Sequence, residues 1–189
     1  VITVTSVMDA GDILASASTP VDPAETAGEL HDRLAELGAP LLPQVLDQLE
    51  AGTLVRQPQD PAQATRAPKL KRELAWVDWT RPAADVSARI RGLSPWPGVQ
   101  VELRAADGQP RVQATILKCR ATGSTAHDPA ECGRVLADHA IACGRGSFEL
   151  LTIQPAGKKA MDRAAFANGY RLAAGMQLQS NLPIQRTLL

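Results

Sequence analysis

The hydrophobic and polar positions change period along the chain, and each change predicts a different element. Val1-Ile2-Thr3-Val4-Thr5 is an apolar, β-branched run that reads as a buried strand, and the chain begins inside it without an initiator Met. Ala15 to Val21 reads as a second strand. Leu30, Leu34 and Leu37 then fall at i, i+4 and i+7, which predicts one buried helical stripe ending at Gly38. Its start is open by about one turn, because Asp22 to Glu25 and Thr26 to Glu29 both have the spacing of a capping box. A second helix over Leu41 to Glu50 carries Leu42, Val45, Leu46 and Leu49 on its apolar side and tolerates Pro43 only in its first turn.

Apolar periodicity lapses from Val55 to Pro68, a Gln, Pro and Ala rich stretch that reads as a linker. A short helix follows from about Ala83, with Val86 and Ile90 on one face and Arg89 and Arg91 elsewhere. Pro95 and Pro97 flank Trp96, so the helix must stop in a rigid turn, which reads as a clamp on a core Trp. Beyond it the period becomes two. Val99 to Leu103 alternates, Asp107-Gly108 signals a hairpin, and Val112 to Cys119 is the next strand, with Thr122 to Pro129 read as a loop. Arg134 to Ala137, Ala140 to Cys143 and Phe148 to Ile153 complete a set of short strands that suggests a small closed or partly open barrel.

Composition narrows the function classes. No apolar run approaches the roughly 18 residues of a membrane span, and the start has no signal-peptide pattern, so a cytoplasmic protein is the expectation. Cys119, Cys132 and Cys143 are odd in number and fit no zinc spacing; His31, His127 and His139 are scattered, so no metal is implied. The net charge of zero conceals a division. Residues 1 to 60 hold two basic side chains against ten acidic ones, and residues 61 to 189 hold 18 against ten, or −8 against +8. That asymmetry fits a polyanion-binding C-terminal part and, equally, an ordinary solvated face.

Particular motifs carry more. Asp9 and Asp12 flank Gly11 at the end of the opening strand, where carboxylates commonly bind turn amides and where open α/β sheets also gather functional side chains. Met8-Asp9-Ala10-Gly11-Asp12-Ile13-Leu14 resembles the Asp-x-Gly-Asp segment of the folate-dependent formyltransferases. Three further runs resemble the methionyl-tRNA formyltransferase family in its own order: Thr65 to Glu73, Ile90 to Gly98 with its Pro-Trp-Pro-Gly, and Leu151 to Met161 with Ala-Gly-Lys-Lys, followed by Phe166 to Gly169. Gly144-Arg145-Gly146 departs from the Gly-Asp-Gly common in relatives, which adds positive charge without changing the turn.

The resemblance implies an α/β remnant of a Rossmann-like formyltransferase domain over residues 1–55, a linker over 56–70 and a mainly β, OB-like tRNA-binding barrel over 71–189. It implies formyl transfer from 10-formyltetrahydrofolate, as co-substrate, to the amino group of initiator methionyl-tRNA by a monomer. Asp9 takes the place of the family's catalytic Asp, which orders a His and a water. The family's Asn and His match no motif of this chain, so residues 1–189 alone are expected to be inactive. Lys69, Lys71, Arg72, Arg89, Arg91, Lys158 and Lys159 are the candidate tRNA contacts, though Lys158 and Lys159 also read as a solvated turn. Competing readings are a non-catalytic RNA-binding module and a relative with another acceptor.

Overall fold

The computed structural model describes residues 1–180, so the last nine residues of the expected barrel lie outside the described residues. The chain divides into two units, one ending at Lys69 and one beginning at Leu70.

In the first unit the later capping box sets the start of α1 (Ala27–Gly38). Thr26 Oγ1 accepts from the Glu29 amide at 3.2 Å, and Glu29 Oε2 accepts from the Thr26 amide at 2.8 Å. Just upstream, Arg33 donates to Glu25 Oε1 at 2.7 Å, to Pro20 O at 3.0 Å and to Thr19 Oγ1, tying the α1 lead-in to the helix surface. That guanidinium holds the Glu25 carboxyl below the usual carboxylate range. α2 (Leu41–Glu50) follows, with Pro43 in its first turn as its missing amide requires.

The apolar stripes are present but not covered. No residue of α1 is buried, Leu34 is 45% exposed, and in α2 only Val45 is buried while Leu42, Leu46 and Leu49 lie open. The two strands expected at the start also do not form. Val1 to Thr5 contributes a single bridge, Ile2 to Ile13, and Val4 is 99% exposed; Ala15 to Val21 pairs with nothing as a strand. A lone ribbon lacks the neighbouring strands and covering layer that make a β-branched run bury itself. The stretch read as linker is partly ordered instead. Ile13 and Gln57 exchange both amide bonds, at 2.8 and 3.0 Å, and Asp60 caps a 3₁₀ turn at Pro61–Gln63 through the Ala62 amide.

The second unit is one twisted antiparallel sheet wrapped towards closure. Its strands are β1 (Val99–Arg104), β2 (Pro110–Ala126), β3 (Ile141–Ala142), β4 (Arg145–Pro155), β5 (Met161–Asp162) and β6 (Gln177–Ser180), in the order β3-β4-β2-β1-β6 with β5 on β4. β2 is longer than its apolar run suggested, because Thr122 to Ala126, read as loop, continue the pairing with β4 as far as Arg145. Backbone pairing recruits polar residues that periodicity leaves out. Arg134 to Ala137, expected as a strand, instead bridge the two edges: Val135 donates to Met176 O at 2.8 Å, Leu178 donates to Gly133 O at 2.8 Å, and Ala142 donates to Arg134 O at 2.9 Å. The segment thereby brings the β3 and β6 ends of the sheet close to closure.

Alternation fills the interior. Val99, Val101 and Leu103 of β1, Ala114 and Ile116 of β2 and Phe148, Leu150 and Ile153 of β4 point into one core. α3 (Ala83–Gly92) lays Val86 and Ile90 onto it, as their spacing predicted. α4 (Arg163–Tyr170) was not foreseen; Asp162 caps it through the Ala165 amide at 2.8 Å, and Phe166 fills the core beside Tyr170. Both Ser94-Pro95 and Trp96-Pro97 are cis.

Trp96 is not the core Trp. It is 55% exposed, whereas Trp79 is 8% exposed and stacks on Phe148 with ring centroids 5.4 Å apart. Two close backbone approaches hold the Trp79 segment. A Cβ at Gly133 would lie 2.8 Å from Trp79 Cδ1, and one at Gly144 would lie 1.9 Å from Thr80 O. Gly144 also donates to Trp79 O at 3.0 Å. Gly144→Ala is therefore expected to lower unfolding stability by about 2–3 kcal/mol, because backbone rather than a flexible side chain must give way. Urea denaturation followed through tryptophan emission measures it; a midpoint equal to that of the parent chain would contradict the close approach.

The cysteines are free and buried. Burial pushes the Cys119 thiol up to about 11, with Ser87 and the Arg91 charge acting against it, and pushes Cys143 up to about 12. These are packing thiols, not nucleophiles.

Candidate functional site

Asp9 lies at the tip of an exposed turn with φ 57°, a left-handed conformation that Asp and Asn tolerate better than most residues. The turn is clamped from across the unit: Gln59 Nε2 donates to Asp9 O at 2.8 Å and to Gly11 O at 2.7 Å. Gly11 is required because a Cβ there would sit 1.8 Å from Thr3 O, where Thr3 donates to Asp12 O at 3.0 Å. The Asp-x-Gly-Asp spacing thus presents the Asp9 carboxylate to solvent on a fixed backbone. Among the described residues, no group of three His, Cys, Asp or Glu is placed to hold a metal ion.

The candidate cations divide by environment. Lys69 is exposed at the end of the first unit. In the second unit Lys71, Arg72, Lys158 and Lys159 are exposed, while Arg89 and Arg91 are half-buried. Arg89 directs its donors inward, to Trp76 O at 2.7 Å and Leu74 O at 2.9 Å, and its guanidinium lies 4.8 Å from the Trp76 ring centre. These contacts tie Leu74 and Trp76 to α3, so the donors involved are engaged within the unit. The cleft beside it, about 340 Å³ and lined by Trp76, Asp78, Arg81, Asp85 and Arg89, has its charges already engaged: Arg81 pairs with Asp85 at 3.1 Å, and Asp78 accepts from Thr80.

The remaining two cation groups are joined by a polar row across the outer face of the sheet. The Lys71–Arg72 turn leads to Ala75, whose carbonyl accepts from the Gln100 amide at 3.2 Å. Gln100 on β1 stands opposite Thr115 on β2, which stands opposite Gln154 on β4. Gln154 Nε2 donates to Lys158 O at 3.0 Å, in the turn that carries Lys158 and Lys159. At the ordinary spacing of paired strands the row from Gln100 to Gln154 is roughly 10 Å wide. Alternation along Val99 to Leu103 already placed Gln100 outward; the cross-strand register that aligns it with Thr115 and Gln154 has no signal in the sequence. Glu102 lies on the same face, paired with Arg104 at 2.5 Å.

The second unit is a nearly closed antiparallel barrel with a polar outer face bracketed by exposed cations. Comparison with known proteins makes the class particular. The profile of the formyl transferase C-terminal domain matches residues 69–171, and the chain belongs to that family. Methionyl-tRNA formyltransferase of Solibacter usitatus is 45% identical over 173 residues, covering 90% of this chain and 53% of that relative. The protein of the same name from Heliobacterium modesticaldum is 42% identical over 176 residues, covering 90% and 55%. The chain thus spans about half the length of the curated relatives it matches. Among solved structures, HypX from Aquifex aeolicus in complex with tetrahydrofolic acid shares the fold at TM-score 0.61 and 18% identity, over 89% of this chain and 29% of that one.

Proposed function

We propose that this chain serves formyl transfer from 10-formyltetrahydrofolate to the amino group of methionyl initiator tRNA, with the barrel unit gripping the tRNA backbone. Residues 71 onward act as the OB-like tRNA-binding domain, and residues 1–55 as the end of a Rossmann-like catalytic domain. The observation that carries the reading is the polar row between Lys71–Arg72 and Lys158–Lys159, on a chain whose relatives bear the name methionyl-tRNA formyltransferase. Cations that bracket a polar sheet face hold a ribose-phosphate backbone by charge and shape without reading bases.

In the reaction the methionyl amine attacks the formyl carbon, a new N–C bond replaces the bond to folate N10, and N10 leaves with a proton as the amine gives one up. Asp9 supplies a carboxylate that orders and raises the basicity of an imidazole, as the family resemblance implies. The described surroundings of Asp9, an open turn clamped by Gln59, do not form a pteridine pocket. The reading carries with it a cytoplasmic monomer.

Salt dependence of tRNA binding tests it. Each phosphate neutralised contributes about −0.7 to −0.9 to the slope of log K against log salt, so contacts from Lys71, Arg72, Lys158 and Lys159 predict a slope near −3. Lys158→Gln combined with Lys159→Gln is expected to flatten that slope by about 1.5. A flat dependence in the parent chain, or no binding at low salt, would refute the reading.

A further inference from the structure

Of the three tryptophans, two are accounted for by packing: Trp79 is buried against Phe148 and Trp76 lies under Arg89. Trp96 is not. It is 55% exposed on a turn whose backbone is fixed on both sides by proline rings, a costly way to display a large apolar ring if the ring has no partner. The turn is also seated on the polar row. A Cβ at Gly98, two residues on, would stand 2.6 Å from Thr115 Cγ2, so the Trp96-Pro97-Gly98 backbone rests directly against the central member of Gln100, Thr115 and Gln154. Beside that turn the sheet face is slightly hollowed, with a depression of about 90 Å³ lined by Gln100, Glu102, Gln113, Thr115 and Ala156.

We propose that Trp96 is a stacking platform for one unpaired base of a bound RNA strand, whose backbone runs along the polar row between the two cation groups. The inference rests on the tRNA reading above and adds a contact to a base where that reading supplied only contacts to phosphate. A pre-positioned indole beside a cationic, hydrogen-bonding face is the combination that single-stranded RNA requires: a ring for the base, amides and hydroxyls for the ribose, and charge for the phosphates. An acidic peptide would meet the same cations but gain nothing from the ring. A duplex offers no unstacked base.

The test uses the 189-residue chain and a short single-stranded oligoadenylate, with affinity from titration and tryptophan emission as the second readout. Trp96→Ala is expected to weaken binding roughly 5- to 150-fold, as loss of one base stack does, while Trp96→Phe binds within a few-fold of the parent. Binding should quench tryptophan emission in the parent but not in Trp96→Phe, which retains Trp76 and Trp79. Emission from buried Trp79 confirms that each variant is folded. Unchanged affinity of Trp96→Ala, or quenching that persists in Trp96→Phe, would overturn the proposal. If Lys158→Gln with Lys159→Gln lowers affinity and Trp96→Ala does not, the RNA reading stands and stacking falls. If neither changes binding, both fall together.

Discussion

Replacing Phe148 by alanine is expected to remove about 3–5 kcal/mol from the stability of the barrel unit. The ring is fully buried and lies at a junction of the fold. Its residue pairs with Ile141 of β3 on one side and Ala121 of β2 on the other, and its face meets Trp79 of the segment that leads into α3. Truncation removes the transfer free energy of the ring and leaves a void that three backbones would have to close, two of them in hydrogen-bonded register. Such a site relaxes little, which places the loss in the upper part of the usual range. Chemical denaturation measures it, with Trp79 reporting the site directly. A loss below about 1.5 kcal/mol would mean that the junction collapses around the void and that the Trp79 stack is not a structural pin.

Asp9→Asn is expected to lower formyl transfer by about 10²- to 10⁴-fold in a full-length enzyme carrying these residues, while leaving tRNA affinity unchanged. The substitution is clean because Asn adopts the left-handed backbone of position 9 as readily as Asp. Gln59 binds main-chain carbonyls there and does not use the carboxylate. What is removed is the charge alone. If the role is to order an imidazole, the pH profile should move as well, since loss of a neighbouring carboxylate lowers a histidine pKa. Equal rates for the parent and Asp9→Asn would reduce Asp9 to a turn former and leave the non-catalytic RNA-binding module as the better description.

The polar row, Trp96 and Arg89 show how differently candidate site residues declare themselves. Lys158 and Lys159 were legible because charge in a turn after a strand stays exposed in almost any fold. Arg89 has the same charge, yet the tertiary structure turns it inward onto Trp76 and two carbonyls. Trp96, expected in the core, is exposed and Trp79 is the buried indole, because hydrophobicity alone gives no sign of which indole meets Phe148.

Local chemistry was determined by the sequence: the Thr26 capping box, the apolar face of α3, the Asp107-Gly108 hairpin and the alternation of β1 all follow from neighbours within a few residues. The tertiary structure alone decided what depends on partners far along the chain. It extended β2 through polar residues, turned the expected strand at 134–137 into the stitch between β3 and β6, and left the opening run with a single bridge in place of a strand. Pairing and burial are properties of two surfaces at once, and a one-dimensional pattern specifies only one of them.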